Sequence, residues 1–438
     1  MLSILNLRRY HVLSTREDTH DYHIAAETAN PPTQCIHCGS DNLVGGGRQE
    51  IMIRDHLVHA KRVAIYVSAR RLHCRECNKT FTESLPDVAE GKRMTARLYQ
   101  WIAEQSLKRT FTSIAEDVGC TEGTIRSVFR EYIAKLEETV IFETPEWMGI
   151  DEIHIIKKPR LVVSNIEHNK VVNILSDRNK TTVSNYLFRL PNRNSIKCVT
   201  MDMWLPYKNA VNAVLPSAFI VVDKFHVVRM ANQSLEVVRK SIREDLTTKQ
   251  RRGLMHDRFF LLKRESELKP FERLTLESWT RNFPVLGEAY QAKEDFLRIY
   301  DHLDISDALA AYDTWQSGLS LGVATAFKPL ITAVKNWRTE IFAYFDHPVT
   351  NAYTESLNNL IRCVNRIGRG YSFDALRAKI LFTKGAHKVI QPTPKFERRD
   401  PYAIGRMTHY TPTVSAARTI NYGVDTSTLL RLLEESKV

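Results

Sequence analysis

The stretch W-M-G-I-D-E-I-H-I-I-K-K-P-R-L-V-V-S-N-I-E-H-N-K-V-V-N-I-L-S, residues 147–176, groups its apolar and β-branched residues into three short runs. The separators K-K-P and H-N-K are polar and short, as in β-hairpin turns. The stretch therefore predicts a meander of three strands. The residues that follow continue the pattern in the order β-β-β-α-β-α-β, with a helix, a strand, a helix and a strand predicted at 181–190, 196–202, 206–215 and 218–223.

Two carboxylates in this segment are candidates for catalysis. Asp151 lies inside the first apolar run, where a charge is costly unless it is paired or bound to a metal. Asp202 ends the fourth strand. If the first and fourth strands are neighbours, the two acids meet and repel each other unless a cation lies between them. Oxygen ligands favour Mg²⁺ or Mn²⁺, and two such ions can activate a water or a 3′-hydroxyl in phosphodiester chemistry.

A third acid is needed, and Glu355 is the best candidate, in the helical segment N-A-Y-T-E-S-L-N-N-L-I-R-C-V-N-R at 351–366. Helical spacing separates an apolar face from a polar face that suits metal and phosphate. The polar face comprises Glu355, Asn359, Arg362 and Arg366, and its last three residues are predicted to contact DNA. Any of these acids taken singly could instead be a helix cap or a solvated residue. Asp223 also ends a strand and competes with Asp202 for the second ligand position.

Composition and charge restrict the classes of protein. Hydrophobic residues make up 43% and charged residues 26% of the 438 residues, which excludes collagenous and wholly disordered chains. The net charge of +12 favours an acidic polymer such as nucleic acid as partner. Residues 1–150 hold 19 Lys+Arg and 20 Asp+Glu, so the excess lies downstream, where 62−19 = 43 basic residues stand against 50−20 = 30 acidic ones. We therefore expect the body of the protein to contact nucleic acid too. No apolar run is long enough for a membrane span.

Four of the seven cysteines form two C-x-x-C pairs, Cys35 with Cys38 and Cys74 with Cys77. Two such pairs, each on a knuckle with Gly or Asn, predict one tetrahedral zinc site in a reducing compartment. The 35 residues between the pairs exceed the usual spacing, and an inserted hairpin would accommodate them. The alternative is four buried cysteines without a metal.

A helix-turn-helix is predicted in F-T-S-I-A-E-D-V-G-C-T-E-G-T-I-R-S-V-F-R at 111–130. The first helix would end at Gly119, and Thr121 can cap the second. A purely structural helical hairpin is the alternative reading. The residues expected to face DNA are Thr121, Glu122, Thr124 and Arg126, with Arg130 near a phosphate.

Several motifs occur in one order along the chain. They are the two C-x-x-C pairs, the helix-turn-helix, G-I-D-E-I-H, T-M-D-M-W-L-P-Y, V-D-K-F-H-V, and N-x-x-x-E-S-x-N-N-x-I-R followed by R-G-Y-S-F. Together they resemble the ISL-three family of bacterial insertion-sequence transposases, from Cys35 to N-Y-G-V-D near residue 421. The resemblance implies a DDE transposase that uses two Mg²⁺ or Mn²⁺ ions, with Asp151, Asp202 and Glu355 as its catalytic acids. It also implies supporting roles for Asp223 and His226.

The resulting prediction of fold is a multidomain α/β protein. Its parts would be a zinc ribbon, a helix-turn-helix and a ribonuclease-H-like core that is interrupted by an all-helical insertion. The predicted divisions are an N-terminal arm at 1–30, the zinc ribbon at 31–88, the helix-turn-helix at 89–145, the first part of the core at 146–228, the helical insertion at 229–345, the core helix with the catalytic Glu at 346–390 and a C-terminal tail at 391–438.

The expected partners are double-stranded DNA, both the terminal inverted repeats and the target, and a second copy of the chain or more when assembled on DNA. The expected location is the bacterial cytoplasm, in association with the nucleoid. One rival function is a transposase-derived regulator that binds DNA without catalysis, although three intact acids argue against it. A weaker rival is a metal-dependent nuclease that hydrolyses strands and never joins them.

Overall fold

The computed structural model describes residues 5–139 and 144–384. Its N-terminal part is a sheet of five strands, β1 (Tyr10–Glu17), β2 (Asp21–Thr28), β3 (Leu43–Val58), β4 (Lys61–Cys74) and β5 (Thr80–Thr82). Their order is β1-β2-β4-β3, with β5 paired to β4. The long β3 and β4 form the hairpin that was predicted between the cysteine pairs.

The prediction of a separate arm at residues 1–30 is wrong for most of that range. β1 and β2 pair antiparallel, and β2 runs parallel to β4, so residues 10–28 belong to the sheet. The alternation that places Ile24, Ala26 and Thr28 inside is present in the sequence. β1 shows no such alternation, because it is an edge strand whose side chains are exposed after Tyr10.

Three helices follow the sheet: α1 (Ala96–Lys108), α2 (Phe111–Val118) and α3 (Glu122–Thr139). The predicted helix-turn-helix is present as α2 and α3. Gly119 ends α2 in the left-handed region with φ 69°, a conformation that glycine adopts without a Cβ penalty. Thr121 accepts the backbone N–H of Thr124 through its hydroxyl, so it caps α3 as expected.

The elements of the second sheet and its first helices are β6 (Trp147–Ile155), β7 (Lys158–Asn165), β8 (Lys170–Leu175), α4 (Lys180–Arg189), β9 (Cys198–Met201), α5 (Leu205–Val214) and β10 (Phe219–Val222). The strands have the order β10-β9-β6-β7-β8. β6, β7 and β8 form the predicted antiparallel meander, and β9 and β10 add in parallel on the other side of β6. α4 and α5 cover one face, while the last two helices of the described chain pack on the other.

From Lys224 to Asp346 the chain is helical, as predicted for this stretch, and its helices enclose an apolar core of their own. The first of these helices, α6 (Lys224–Ser241), crosses the predicted boundary at 228/229 without a break, because its buried residues Val227 and Ala231 continue one apolar stripe. The helices are α6 (Lys224–Ser241), α7 (Thr248–Leu262), α8 (Pro270–Asn282), α9 (Pro284–Ile299), α10 (Ile305–Ser317), α11 (Leu321–Asn336) and α12 (Arg338–Asp346), and then α13 (Ala352–Gly368) and α14 (Phe373–Lys384) return to the sheet.

The helix-turn-helix and the second sheet share one apolar core. Ile125 and Phe129 of α3 belong to the same buried cluster as Ile174 of β8 and Leu376 of α14. The rings of Phe111 and Tyr371 lie 5.3 Å apart between α2 and the turn before α14. The helix-turn-helix is therefore packed against α14 (Phe373–Lys384), which lies on the second sheet.

None of the described helices is long and apolar enough to span a membrane. The predicted C-terminal tail, 391–438, lies outside the described residues.

Candidate active site

The carboxylates collect at one edge of the second sheet. β6 and β9 run parallel with Gly149 opposite Thr200, so continuing that register two residues further sets Asp151 level with Asp202. Asp223 follows β10 and caps α6, accepting the backbone N–H of Phe225. The carboxyl ends of neighbouring parallel strands meet at the same edge, which is where α/β proteins commonly bind ligands. The predicted adjacency of the first and fourth strands is thus observed.

His226 lies at the centre of the acids. Candidate ligand atoms of Asp151, Asp202 and His226 lie within 4.8 Å of one another, and those of Asp223, His226 and Glu355 do as well. The Nε2 atom of His226 is 2.7 Å from Oδ1 of Asp202 and 4.0 Å from Oδ2 of Asp223. The structure therefore brings together all five residues that were predicted as catalytic or supporting.

The helix that carries Glu355 approaches β6 closely. A Cβ added at Gly149 would overlap Oγ of Ser164 on β7 and would lie 2.7 Å from both Oδ1 of Asn351 and Oγ1 of Thr354, so a side chain at this position would disturb the packing of β7 and α13. The hydroxyls of Ser164 and Thr354 are 2.6 Å apart and connect β7 to α13. Gly149 is thus the residue that allows Glu355 to reach the sheet edge.

Sequence reasoning missed the amides that hold the acids. Nδ2 of Asn358 donates to Oδ2 of Asp151 over 2.5 Å, and the backbone N–H of Asn351 donates to Oδ1 of Asp223 over 3.4 Å. Asn351, Thr354 and Asn358 are buried at helical spacing. That polar stripe beside an apolar one was the available signal, because asparagine is seldom buried unless it is hydrogen-bonded.

Burial and mutual repulsion raise the pKa values of three of the acids. Burial and the neighbouring Asp202 raise the pKa of Asp151 to about 7. Burial also raises the pKa of Asp223, and burial followed by the charge of Asp223 raises the pKa of Glu355. Burial lowers the pKa of His226, but its hydrogen bond to Asp202 and the nearby carboxylates outweigh this, so the net shift is upward.

This donor set fits a divalent cation. Oδ2 of Asp223 is buried and accepts no hydrogen bond from any described residue. Crowded carboxylates with raised pKa values are stabilised in the ionised form when a hard cation lies among them. The arrangement can therefore bind metal and act on phosphate esters.

The four cysteines also meet as predicted. Sγ of Cys35 lies 3.7 Å from Sγ of Cys77, and Sγ of Cys38 lies 3.6 Å from Sγ of Cys74. Four thiolates about 2.3 Å from a central zinc would have nearly this separation. The residues after each pair, Gly39 and Asn78, have positive φ, as tight metal knuckles require. The cluster fits a closed structural zinc site, in a segment with a small apolar core.

Three models of protein families match consecutive parts of the chain. The DDE model of the ISL3 family, described as a transposase, matches residues 148–380, more than half of the chain. A model described as the helix-turn-helix domain of transposase family ISL3 matches 83–133, and one described as the zinc-finger of transposase IS204/IS1001/IS1096/IS1165 matches 31–77. The chain belongs to the ISL3 family of transposases.

Two relatives of this ISL3 transposase are also insertion-sequence enzymes. The transposase for insertion sequence element IS1001 of Bordetella parapertussis is 24% identical over 73% of this chain and 80% of its own length. The transposase for IS1557 of Mycobacterium tuberculosis is 24% identical over 67% of this chain and 71% of its own length. The expected activity, DNA-binding insertion-sequence transposase, is confirmed by these matches.

The residues of α3 and its cap that are predicted to contact DNA differ in their exposure and in the contacts that they already make. Thr121 and Arg130 are exposed, and Thr124 is partly buried against the hydroxyl of Thr121 at 3.0 Å. Arg126 donates from Nε to Glu122 over 2.9 Å, and its guanidinium lies 5.0 Å from the ring centre of Phe111. Arg126 must therefore give up an ion pair before it can read a base.

The predicted DNA contacts on α13 form an exposed stripe that begins at the active site. Asn359, Arg362 and Arg366 follow Glu355 at helical spacing, and all three are exposed. Nη1 of Arg362 donates to Oδ1 of Asn359 over 3.0 Å. The stripe presents two guanidinium groups to solvent on the side of the helix that carries the acid.

Proposed function

We propose that this transposase cleaves and joins DNA strands at the ends of its element with Asp151, Asp202 and Glu355 as metal ligands. The observation that carries the proposal is the convergence of these acids around His226, although Glu355 follows Asp202 by 355−202 = 153 residues. The sheet order, with one acid in the middle of β6 and another directly after β9, supports a ribonuclease-H-like core. The helices from α6 to α12 then form an insertion within it.

Two Mg²⁺ or Mn²⁺ ions held by these acids would supply activation of a nucleophilic water or 3′-hydroxyl and stabilisation of the leaving oxygen. The residues of the chain set the geometry. Asn358 orients the carboxylate of Asp151 by its 2.5 Å hydrogen bond. His226 holds Asp202, and Asn351 holds Asp223, so Asp223 and His226 support the site. Water is the first nucleophile, and the freed 3′-hydroxyl then attacks target DNA.

The N-terminal domains are proposed to recognise the terminal inverted repeats. The ribbon would hold one zinc per chain on Cys35, Cys38, Cys74 and Cys77, and elemental analysis of the purified protein tests this.

Contact with DNA is proposed for two helices. α3 would enter a groove with Thr121, Thr124 and Arg130 near DNA, and Arg126 would join them once released from Glu122. Asn359, Arg362 and Arg366 would track phosphates near the cleaved bond. Two or more copies would assemble on paired ends.

A strand-transfer assay with the element's own ends tests the proposal. Asp151→Asn, Asp202→Asn and Glu355→Gln should each abolish cleavage and joining while binding of the ends persists, because each change removes a ligand charge and keeps the shape. Hydrolysis without joined product in the wild type would leave only nuclease activity.

Asp223→Asn separates the two candidates for the second ligand. A supporting role predicts partial loss that Mn²⁺ rescues, since Mn²⁺ tolerates imperfect coordination better than Mg²⁺. Full strand transfer by Asp202→Asn would overturn the assignment and move the ligand role to Asp223.

A further inference from the structure

A cleft of about 900 Å³ opens directly beside the acids, between the sheet edge and the helical segment. Asp202, Trp204 and His226 line the end that adjoins the active site, and α6 and α11 form its other walls. A volume of this size matches sites for small molecules, roughly 300–1,000 Å³, and is too small for duplex DNA. Whatever enters it must be small or single-stranded.

Polar side chains from two helices line the walls of the cleft. On α6, Arg229 and Gln233 follow His226 on one face, and on α11 Lys328, Thr332 and Asn336 recur with helical spacing. The opposite face of α11 is buried in the helical core through Val323, Phe327, Leu330 and Val334. Both helices therefore point hydrogen-bonding side chains toward a cavity that lies next to the proposed phosphodiester-cleaving site.

The cleft also has an open aromatic surface. Trp204 follows Asp202 by two residues, lines the cleft and has 39% of its surface exposed. The guanidinium of Arg178 lies 4.6 Å from the ring centre and is held by an ion pair with Glu152. The contact with Arg178 on one face thus holds the Trp204 ring in place. Stacking of a base on such a ring is worth roughly 1–3 kcal/mol and tolerates any base.

Two cations in the cleft have no carboxylate partner. Among the described residues, neither Arg229 nor Lys328 forms an ion pair, whereas the neighbouring Lys208 is paired with Glu340. Unpaired cations near three catalytic acids are suited to the phosphates that flank the cleaved bond. An aromatic platform with free cations is the combination that binds single-stranded nucleic acid.

We propose that this cleft binds an unpaired nucleotide of the element end, next to the scissile phosphate. Its base stacks on Trp204, and its flanking phosphates contact Arg229 and Lys328. The inference rests on the proposed function, since the acids define which phosphate is cleaved. Extracting the nucleotide from the duplex costs a few kcal/mol, which the stacking and the ion pairs offset.

The test compares ends whose terminal base pair is matched with ends in which it is mismatched. Because a mismatch removes most of the unpairing cost, the wild type should bind the mismatched end roughly tenfold or more tightly than the matched end. Trp204→Ala should lose that preference, and Trp204→Phe should keep most of it because a ring remains. Phe271→Ala, at a ring on α8 that is 72% exposed and does not line the cleft, is the matched control and should behave as wild type.

Two further readouts complete the experiment. Arg229→Gln combined with Lys328→Gln should reduce the salt dependence of end binding by about two phosphate contacts. Cleavage of matched ends by Trp204→Ala should fall at least tenfold and recover on mismatched ends, which a merely unfolded variant would not show. Equal preference in wild type and Trp204→Ala, with cleavage intact, would overturn the cleft proposal and leave the proposed function standing. A wild type that binds the ends and never cuts them would overturn the proposed function itself.

Discussion

Asp151 is buried, lies beside the like charge of Asp202 and accepts two hydrogen bonds, one of them from Asn358. Its pKa is raised to about 7 by burial and by Asp202, whereas an aspartate in an unfolded chain has a pKa near 3.9. An acid with a raised pKa in the folded state is protonated there at low pH and must ionise within the fold as pH rises. The free energy of unfolding of the metal-free protein therefore falls between about pH 4 and pH 7, and bound metal removes the cost of ionisation.

This predicts a pH-dependent difference between the wild type and Asp151→Asn. In the absence of divalent metal, the Tm of the wild type should fall from pH 5 to pH 7.5 more steeply than that of the variant, which has no charge to bury. Magnesium at pH 7.5 should raise the Tm of the wild type more than that of the variant. Thermal denaturation across the pH series measures both, and parallel curves for the two proteins would contradict the assigned burial of this carboxylate.

Asn358 and Asn359 are neighbours with different surroundings. Asn358 is buried against Asp151, and Asn359 is exposed on the stripe of α13 that is proposed to contact DNA. Partners that orient metal ligands typically contribute 10–100-fold to metal affinity or activity. Asn358→Ala should therefore reduce cleavage by roughly that factor with end binding unchanged, whereas Asn359→Ala should weaken end binding and leave single-turnover cleavage at saturating enzyme nearly intact. The reverse pattern would show that the predicted DNA face of α13 is misplaced.

At the scale of elements, strand order was predictable and helix placement was not. Asp151 and Asp202 could be paired from the sequence because the β-β-β-α-β pattern allows few sheet orders. The contact of α13 with β6 joins residues some 200 positions apart, as in the hydrogen bond from Asn351 to the carbonyl of Ile150, and no local pattern reports it. β1 was missed for another reason, since an exposed edge strand has no alternation to detect.

The closeness of α13 and β6 leads to a prediction at Gly149. A methyl group there would overlap Ser164 of β7 and lie 2.7 Å from Thr354 of α13, so Gly149→Ala should destabilise the protein by about 1–3 kcal/mol and move Glu355 away from the sheet edge. Gly322→Ala, on α11 where the nearest atom to an added Cβ is 3.7 Å away, is the matched control and should be neutral or slightly stabilising. Chemical denaturation and a cleavage assay follow the two effects, and normal cleavage by Gly149→Ala would show that α13 can shift without loss of the site.

Considered as a whole molecule, the recognition helices and the active-site sheet form one packed unit. Lys379 of α14 is buried beneath the helix-turn-helix, and its Nζ donates to the carbonyl of Arg109 over 2.9 Å. The same ammonium lies 4.7 Å from the ring centre of Phe111 and 4.8 Å from that of Tyr371. A buried lysine that satisfies carbonyls at the end of α1 connects the recognition helices to α14. The distance from α3 to the acids is therefore set by packed structure, which the separate motifs in the sequence did not indicate.

Such packing predicts that the enzyme cleaves at a fixed distance from the sequence it recognises. Inserting about half a helical turn of DNA, roughly 5 base pairs, between the recognised sequence and the cleavage point should lower cleavage more than tenfold without changing the Kd of the end, because the acids then face the wrong side of the duplex. An insertion of a full turn, about 10 base pairs, should also fail, since it moves the bond by about 34 Å. Tyr371→Ala should loosen the contact with Phe111 and spread cleavage over several neighbouring bonds, whereas Tyr371→Phe keeps the ring and should cut at a single bond. Mapping the cut sites on a sequencing gel distinguishes these outcomes, and efficient cleavage of the half-turn insertion by the wild type would mean that the recognition helices move independently of the sheet.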